Sequence, residues 1–286
     1  MRIPARVVES CTGWARGEAW LRALPGLVDD LRERWGLILD DPYDAEVSVS
    51  WVAPARRSDG SPAVLKVGLP HMEAEHEIAG LRFWDGEPTV RLLDADVSVN
   101  AMLLERCVPG TRLRENPEPE QDEVIAGLLR RLWRRPPPGH PFRSLADMIA
   151  SWSAEARATE ASWADPGLVR EGLATFESLS RSAPPEANVL LATDLHAGNV
   201  LAAQRAPWLV IDPKPFVGDR AYDPTQHLLN GLERMRRDAR GLVRRLADLT
   251  EVDEQRLESW TFARAAVERG RGDAPAWAEV ARTLAR

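Results

Sequence analysis

Residues 189–212 read VLLATDLHAGNVLAAQRAPWLVID, and this stretch decides how the rest of the chain is read. Two apolar runs of strand length, 189–192 and 208–211, flank the densest polar cluster in the sequence: Thr193, Asp194, His196 and Asn199 around Leu195, Ala197 and Gly198. A loop leaving a buried strand places such groups at a sheet edge. Val200 and Leu201 resume the apolar pattern, and a turn near 204–207 closes a short hairpin. That hairpin would return Asp212, the carboxylate ending the second run, to the side of Asn199.

The spacing carries a chemistry. Asp194 and Asn199 stand five residues apart, the offset of the Asp and Asn in a kinase catalytic loop. In phosphoryl transfer a protein mainly positions groups and neutralises charge, and Mg²⁺ on the phosphates takes oxygen ligands. Asn199 and Asp212 can supply those oxygens. Asp194 would orient an acceptor hydroxyl and take its proton as the oxygen attacks the γ-phosphorus, with no raised pKa required.

Toward the N-terminus, Val47, Val49 and Trp51 alternate, residues 57–62 carry Asp59 and Gly60, and residues 63–67 are apolar around Lys66. This predicts an antiparallel hairpin. Residues 71–84 put Ile78, Leu81 and Trp84 on one helical face, and 90–93 and 99–104 predict two further strands. After Val108, Pro109 and Gly110 the character changes: Pro117, Pro119 and residues 136–138 punctuate long stretches of helical spacing. Leu145, Met148, Ile149 and Trp152 predict one helix there, and Leu228, Leu229, Leu232 and Met235 another. The expected architecture is therefore α+β: a small antiparallel-sheet lobe over 1–105, and a larger, mainly helical lobe over 106–286.

Composition narrows the partners. At 286 residues with 44% hydrophobic content, the chain can bury a sizeable core. Its formal net charge of −7 argues against nucleic acid as a partner and suits a cationic small molecule. Cys11 and Cys107 stand far apart without metal-ligand spacing, so neither a disulfide framework nor a zinc site is expected. With no signal-peptide pattern and no run of 18 apolar residues, a soluble, cytoplasmic monomer away from membranes is expected.

The run from Thr193 through Pro207, Trp208, Ile211, Asp212, Pro213, Lys214, Pro215, Gly218, Asp219, Tyr222 and Asp223 resembles the aminoglycoside phosphotransferase family, in its streptomycin 6-kinase and hydroxyurea phosphotransferase branch. The similarity extends over about residues 43–230. It implies a protein-kinase-like, two-lobed fold holding ATP between its lobes, with Asp194 as catalytic base and Asn199 and Asp212 as magnesium ligands. It also implies that Lys66 contacts the α- and β-phosphates and pairs with Glu77, with Glu73 and Glu75 as competitors. The backbone of Glu105 and Cys107 would meet adenine at the hinge.

The sequence departs from the pattern in three places. Ala192 and Thr193 stand where the family usually has His and Gly, and Gly tolerates φ angles that Thr does not. The nucleotide-covering stretch, 48–55, has no glycine, and Arg220 replaces a frequent Pro.

His196 is expected to hold the loop rather than react, and Asp219 and Asp223 to brace the loop or cap a helix near Thr225. Asp147, Glu155 and Asp165 are candidates to pair with a cationic acceptor. Hydroxyurea or an endogenous sugar or amino sugar is the alternative acceptor, and a silent ATP-binding pseudokinase the alternative class. The short spacing from Asp212 to Asp219 leaves no room for a phosphorylatable activation loop, which disfavours a protein kinase.

Overall fold

The structure is a computed structural model that describes residues 1–44, 49–72, 74–159, 163, 165–182, 187–268 and 273–285. Glu46, Val47 and Ser48 of the first predicted strand and covering loop lie outside the described residues, as does Glu73. The chain forms two compact units, Met1–Gly110 with Ala203–Leu209, and Thr111–Ala202 with Val210–Arg286. The first unit thus continues past Glu105 to Gly110 and takes in a second, separate segment.

In the first unit, β1 (Ile38–Leu39), β2 (Ser50–Arg56), β3 (Pro62–Gly68), β4 (Leu92–Asp96) and β5 (Ala101–Glu105) form an antiparallel sheet in the order β1-β2-β3-β5-β4. Alternation along β2 and β3 sends Trp51, Ala53, Leu65 and Val67 to one face. That face joins one buried cluster with Val7 and Cys11 of α1 (Ala5–Cys11) and Trp20, Leu24, Val28 and Leu31 of α2 (Ala15–Arg34). Leu24, Val28 and Leu31 follow the helical repeat that builds such a stripe. The opposite face of β3 presents Lys66.

The helix expected over 71–84 begins only at Glu77: α3 is Glu77–Trp84. Its apolar period, Ile78, Leu81 and Trp84, covers only these two turns, and Asp85 closes it at φ 49°. β4 starts two residues later than predicted and runs on through Asp94 and Asp96, polar residues that hydropathy does not flag. Asp96 then accepts from the Ser98 N–H at 3.1 Å in a short turn, which delays β5 to Ala101. Arg205, in the separate segment of this unit, grips Glu105 through Nε at 2.9 Å and Nη2 at 2.8 Å. It also donates to the carbonyls of Gly86 and Thr89.

The second unit carries α4 (Glu118–Leu132), α5 (Leu145–Ala158), α6 (Pro166–Ser182), β6 (Val189–Leu191), β7 (Val200–Ala202), β8 (Trp208–Val210, ending in this unit), β9 (Phe216–Gly218), α7 (Pro224–Leu229), α8 (Leu232–Thr250), α9 (Glu254–Val267) and α10 (Ala274–Leu284). β6 pairs with β9. The single helix predicted through Leu228 and Met235 is instead two, broken at Asn230 and Gly231. The apolar spacing runs across the break because Leu228 and Met235 face one buried cluster with Val243, Leu257 and Trp277. No helix among the described residues is long and apolar enough to cross a membrane.

Candidate active site

In the first unit, Lys66 Nζ donates to both carboxylate oxygens of Glu77, at 2.6 and 2.7 Å. Their side chains are only 7% and 1% exposed, so each charge depends on the other. Glu77 opens α3, where the helix dipole favours an anion. This geometry selects Glu77 over Glu75 as the bonded partner of Lys66, with Glu73 outside the described residues. Burial pushes the Glu105 carboxyl up, but the Arg205 guanidinium and the Arg91 N–H outweigh it and hold the group below its usual range. Cys107 lies two residues on, its thiol pushed up to about 12 by burial and by the Glu105 charge.

In the second unit, the loop after β6 is assembled around a buried carboxylate. Asp223, fully buried, accepts from the Ala192 N–H at 3.0 Å, the Thr193 N–H at 2.7 Å and Trp133 Nε1 at 2.9 Å. Burial raises its pKa to about 6 against the pull of these donors. Thr193 sits at φ 49°, in the left-handed region that the sequence raised as a difficulty for a β-branched residue. Its own N–H bond to Asp223 and a second bond, from Thr193 Oγ1 to the Lys214 carbonyl at 2.6 Å, hold it there.

Asp194 follows. Asn199 Nδ2 donates to the Asp194 carbonyl at 3.0 Å, and Gln226 Nε2 to its Oδ1 at 2.7 Å. The Asn199 amide thus donates its N–H into the loop, and its Oδ1 is an acceptor. The Ile211 N–H donates to the Asn199 carbonyl at 2.9 Å, and the Lys214 N–H to the Ala192 carbonyl at 2.8 Å. These bonds bring the Asp212 segment back beside the loop, as the hairpin reading predicted. Asp212 itself lies at φ 53° and accepts from Lys214 Nζ at 2.6 Å. An Asn oxygen and an Asp carboxylate are hard donors that fit a magnesium ion, and Lys214 supplies a cation at the same carboxylate.

His196 Nδ1 accepts from the Gly198 N–H at 3.1 Å, so the ring closes the loop as a neutral imidazole. Burial, with further help from His227, lowers its pKa to about 4. A Cβ on Gly198 would lie 2.7 Å from the His196 ring, which is why glycine stands there. Asp219 differs from Asp223: it accepts from the Ala221 N–H at 3.0 Å, Trp260 Nε1 at 2.7 Å and Arg256 Nε, bracing its own turn against α9.

Two of the proposed acceptor-binding acids have structural tasks. Asp147 forms the capping box of α5 with Ser144, and Asp165 accepts from the Leu168 N–H and from Arg282. Sequence reasoning passed over Gln226, and it quoted Lys214 in the motif without giving it a task. A lysine two residues from Asp212 was the available signal for the second; none in the sequence pointed to the first.

Comparison with known proteins places the chain among phosphotransferases. The aminoglycoside/hydroxyurea antibiotic resistance kinase family matches residues 34–274. The chain is 40% identical to a streptomycin 6-kinase of Streptomyces glaucescens, over 87% of this chain and 82% of that one. It is 36% identical to a hydroxyurea phosphotransferase of Kitasatospora aureofaciens, over 92% and 78%. Among solved structures, choline kinase LicA from Streptococcus pneumoniae superposes with a TM-score of 0.65 at 11% identity, covering 91% of this chain and 99% of that one. An aminoglycoside phosphotransferase APH(4)-Ia variant, in ternary complex with ADP and hygromycin B, does so with 0.58 at 18%, covering 90% and 97%. The fold is thus kinase-like, with a small antiparallel sheet and a larger helical part, and the chain belongs to the aminoglycoside/hydroxyurea antibiotic resistance kinase family.

Proposed function

We propose that the chain transfers the γ-phosphoryl group of ATP to a hydroxyl of a streptomycin-class aminoglycoside, inactivating the antibiotic. The observation that carries this reading is the loop in which Asp194 is fixed between Asn199 and Gln226 with the Asp212 segment laced alongside. As the acceptor oxygen bonds to the γ-phosphorus, the bond to the β–γ bridging oxygen breaks, its electron pair leaves with ADP, and Asp194 takes the hydroxyl proton. Lys66, steadied by Glu77, would contact the α- and β-phosphates, and the Glu105 carbonyl and Cys107 amide would meet adenine. Asn199 and Asp212 would hold Mg²⁺, which neutralises phosphate charge. The protein would act as a cytoplasmic monomer, and its acidic balance suits a cationic acceptor.

Hydroxyurea is the second acceptor, favoured by the 36% identical relative that phosphorylates it. A pseudokinase is disfavoured because Lys66, Asp194, Asn199 and Asp212 are all retained. A magnesium-dependent ADP-release screen across aminoglycosides, hydroxyurea and amino sugars tests the assignment. Streptomycin-dependent release is expected; ATP binding without release on any acceptor would overturn it.

A further inference from the structure

The Asp194 carboxylate is gripped from a direction that its loop does not supply. Gln226, on α7, donates Nε2 to Asp194 Oδ1 at 2.7 Å, while its Oε1 accepts from Arg264 Nη2 on α9. A guanidinium only donates and a carboxylate only accepts, so the amide between them has a single workable orientation. Arg264 is itself immobilised: Nη1 donates to Thr225 Oγ1 at 2.9 Å, and the guanidinium lies 5.1 Å from the centre of the Tyr222 ring. Tyr222 in turn packs edge-on against Trp260, one turn before Arg264 on α9, at 5.2 Å. An arginine touching the carboxylate directly would weaken its hold on a proton. An amide set between them transmits the rigidity of α9 while keeping the cation one group away.

We propose that Gln226 and Arg264 are positioning residues that aim the Asp194 carboxylate at the acceptor hydroxyl, an inference that rests on the reading of Asp194 as the base. Misplacing a catalytic group by an ångström costs about 100-fold. Gln226→Leu should therefore lower kcat by about 10- to 100-fold, with KM for ATP within about twofold of the parent.

A fall in kcat with the KM for ATP and the thermal midpoint unchanged separates aiming from mere support. Arg264 acts through Gln226, so Gln226→Leu combined with Arg264→Met should be no slower than Gln226→Leu alone. All variants, with Asp194→Asn as reference, are assayed on streptomycin or whichever acceptor the screen returns, and ATP binding and thermal unfolding are measured alongside. Parent-like kcat in Gln226→Leu, or a fall in kcat matched by a loss of ATP binding and of thermal stability, with Asp194→Asn inactive, overturns the positioning role alone. Full activity in Asp194→Asn overturns the base itself and this inference with it.

Discussion

The neutral imidazole of His196 makes the loop sensitive to acid in a calculable way. The ring accepts from the Gly198 N–H, so protonation removes an acceptor and leaves a charge in a largely buried place. Its pKa falls from 6.5 to about 4 on folding, chiefly through burial. A depressed folded pKa contributes stability that is complete above the unfolded value and is lost as pH falls through the folded one. The full contribution is about 3 kcal/mol, of which about 2 kcal/mol is gone by about pH 5. The perturbation is His196→Asn, whose side-chain oxygen can still accept from the Gly198 N–H without titrating. Urea unfolding at about pH 7.5 and about pH 5 should show the parent losing about 2 kcal/mol more than the variant between the two conditions. Equal losses in parent and variant would refute the neutral, buried histidine.

Two further outcomes follow from packing and charge. Glu77→Gln removes the buried carboxylate that Lys66 Nζ bonds through both oxygens, and should lower the midpoint in denaturant titration and raise the KM for ATP. An unchanged midpoint would mean that the pair is not buried in solution. Gly218→Ala would set a methyl 2.5 Å from Leu145 Cβ, where β9 meets α5, and should cost about 1–3 kcal/mol by thermal unfolding. A neutral effect would mean that β9 and α5 stand farther apart than this.

How much was legible in the sequence depended on whether a feature is local. The stretch from Thr193 to Asp212 was readable because loop chemistry requires fixed offsets between an Asp, an Asn and a strand-end Asp. Lys66 and Glu77 were readable as types in chain order, but choosing Glu77 over its neighbours required the observed start of α3. Thr193 showed a conflict with the family pattern, and the backbone there does adopt the left-handed conformation. Its support could not be read fully: Asp223 was expected to brace the loop or cap a helix, while its third donor, Trp133, lies 90 residues away. Gln226 and Arg264 escaped for the same reason, since the path from Asp194 passes through two helices joined only in three dimensions. α1 and α2 were not among the expected elements, although Leu24, Val28 and Leu31 carry a helical stripe that the sequence displays. The division at Leu228 to Met235 was hidden by apolar spacing that continues across Gly231.

The most direct test of the central claim is phosphoryl transfer to streptomycin by the parent and by Asp194→Asn, followed by mass spectrometry of the antibiotic with ATP binding measured in parallel. The parent should add one phosphoryl group to the antibiotic. The variant should do so about 100- to 10,000-fold more slowly with ATP affinity unchanged. Parent-level transfer by Asp194→Asn would contradict the account.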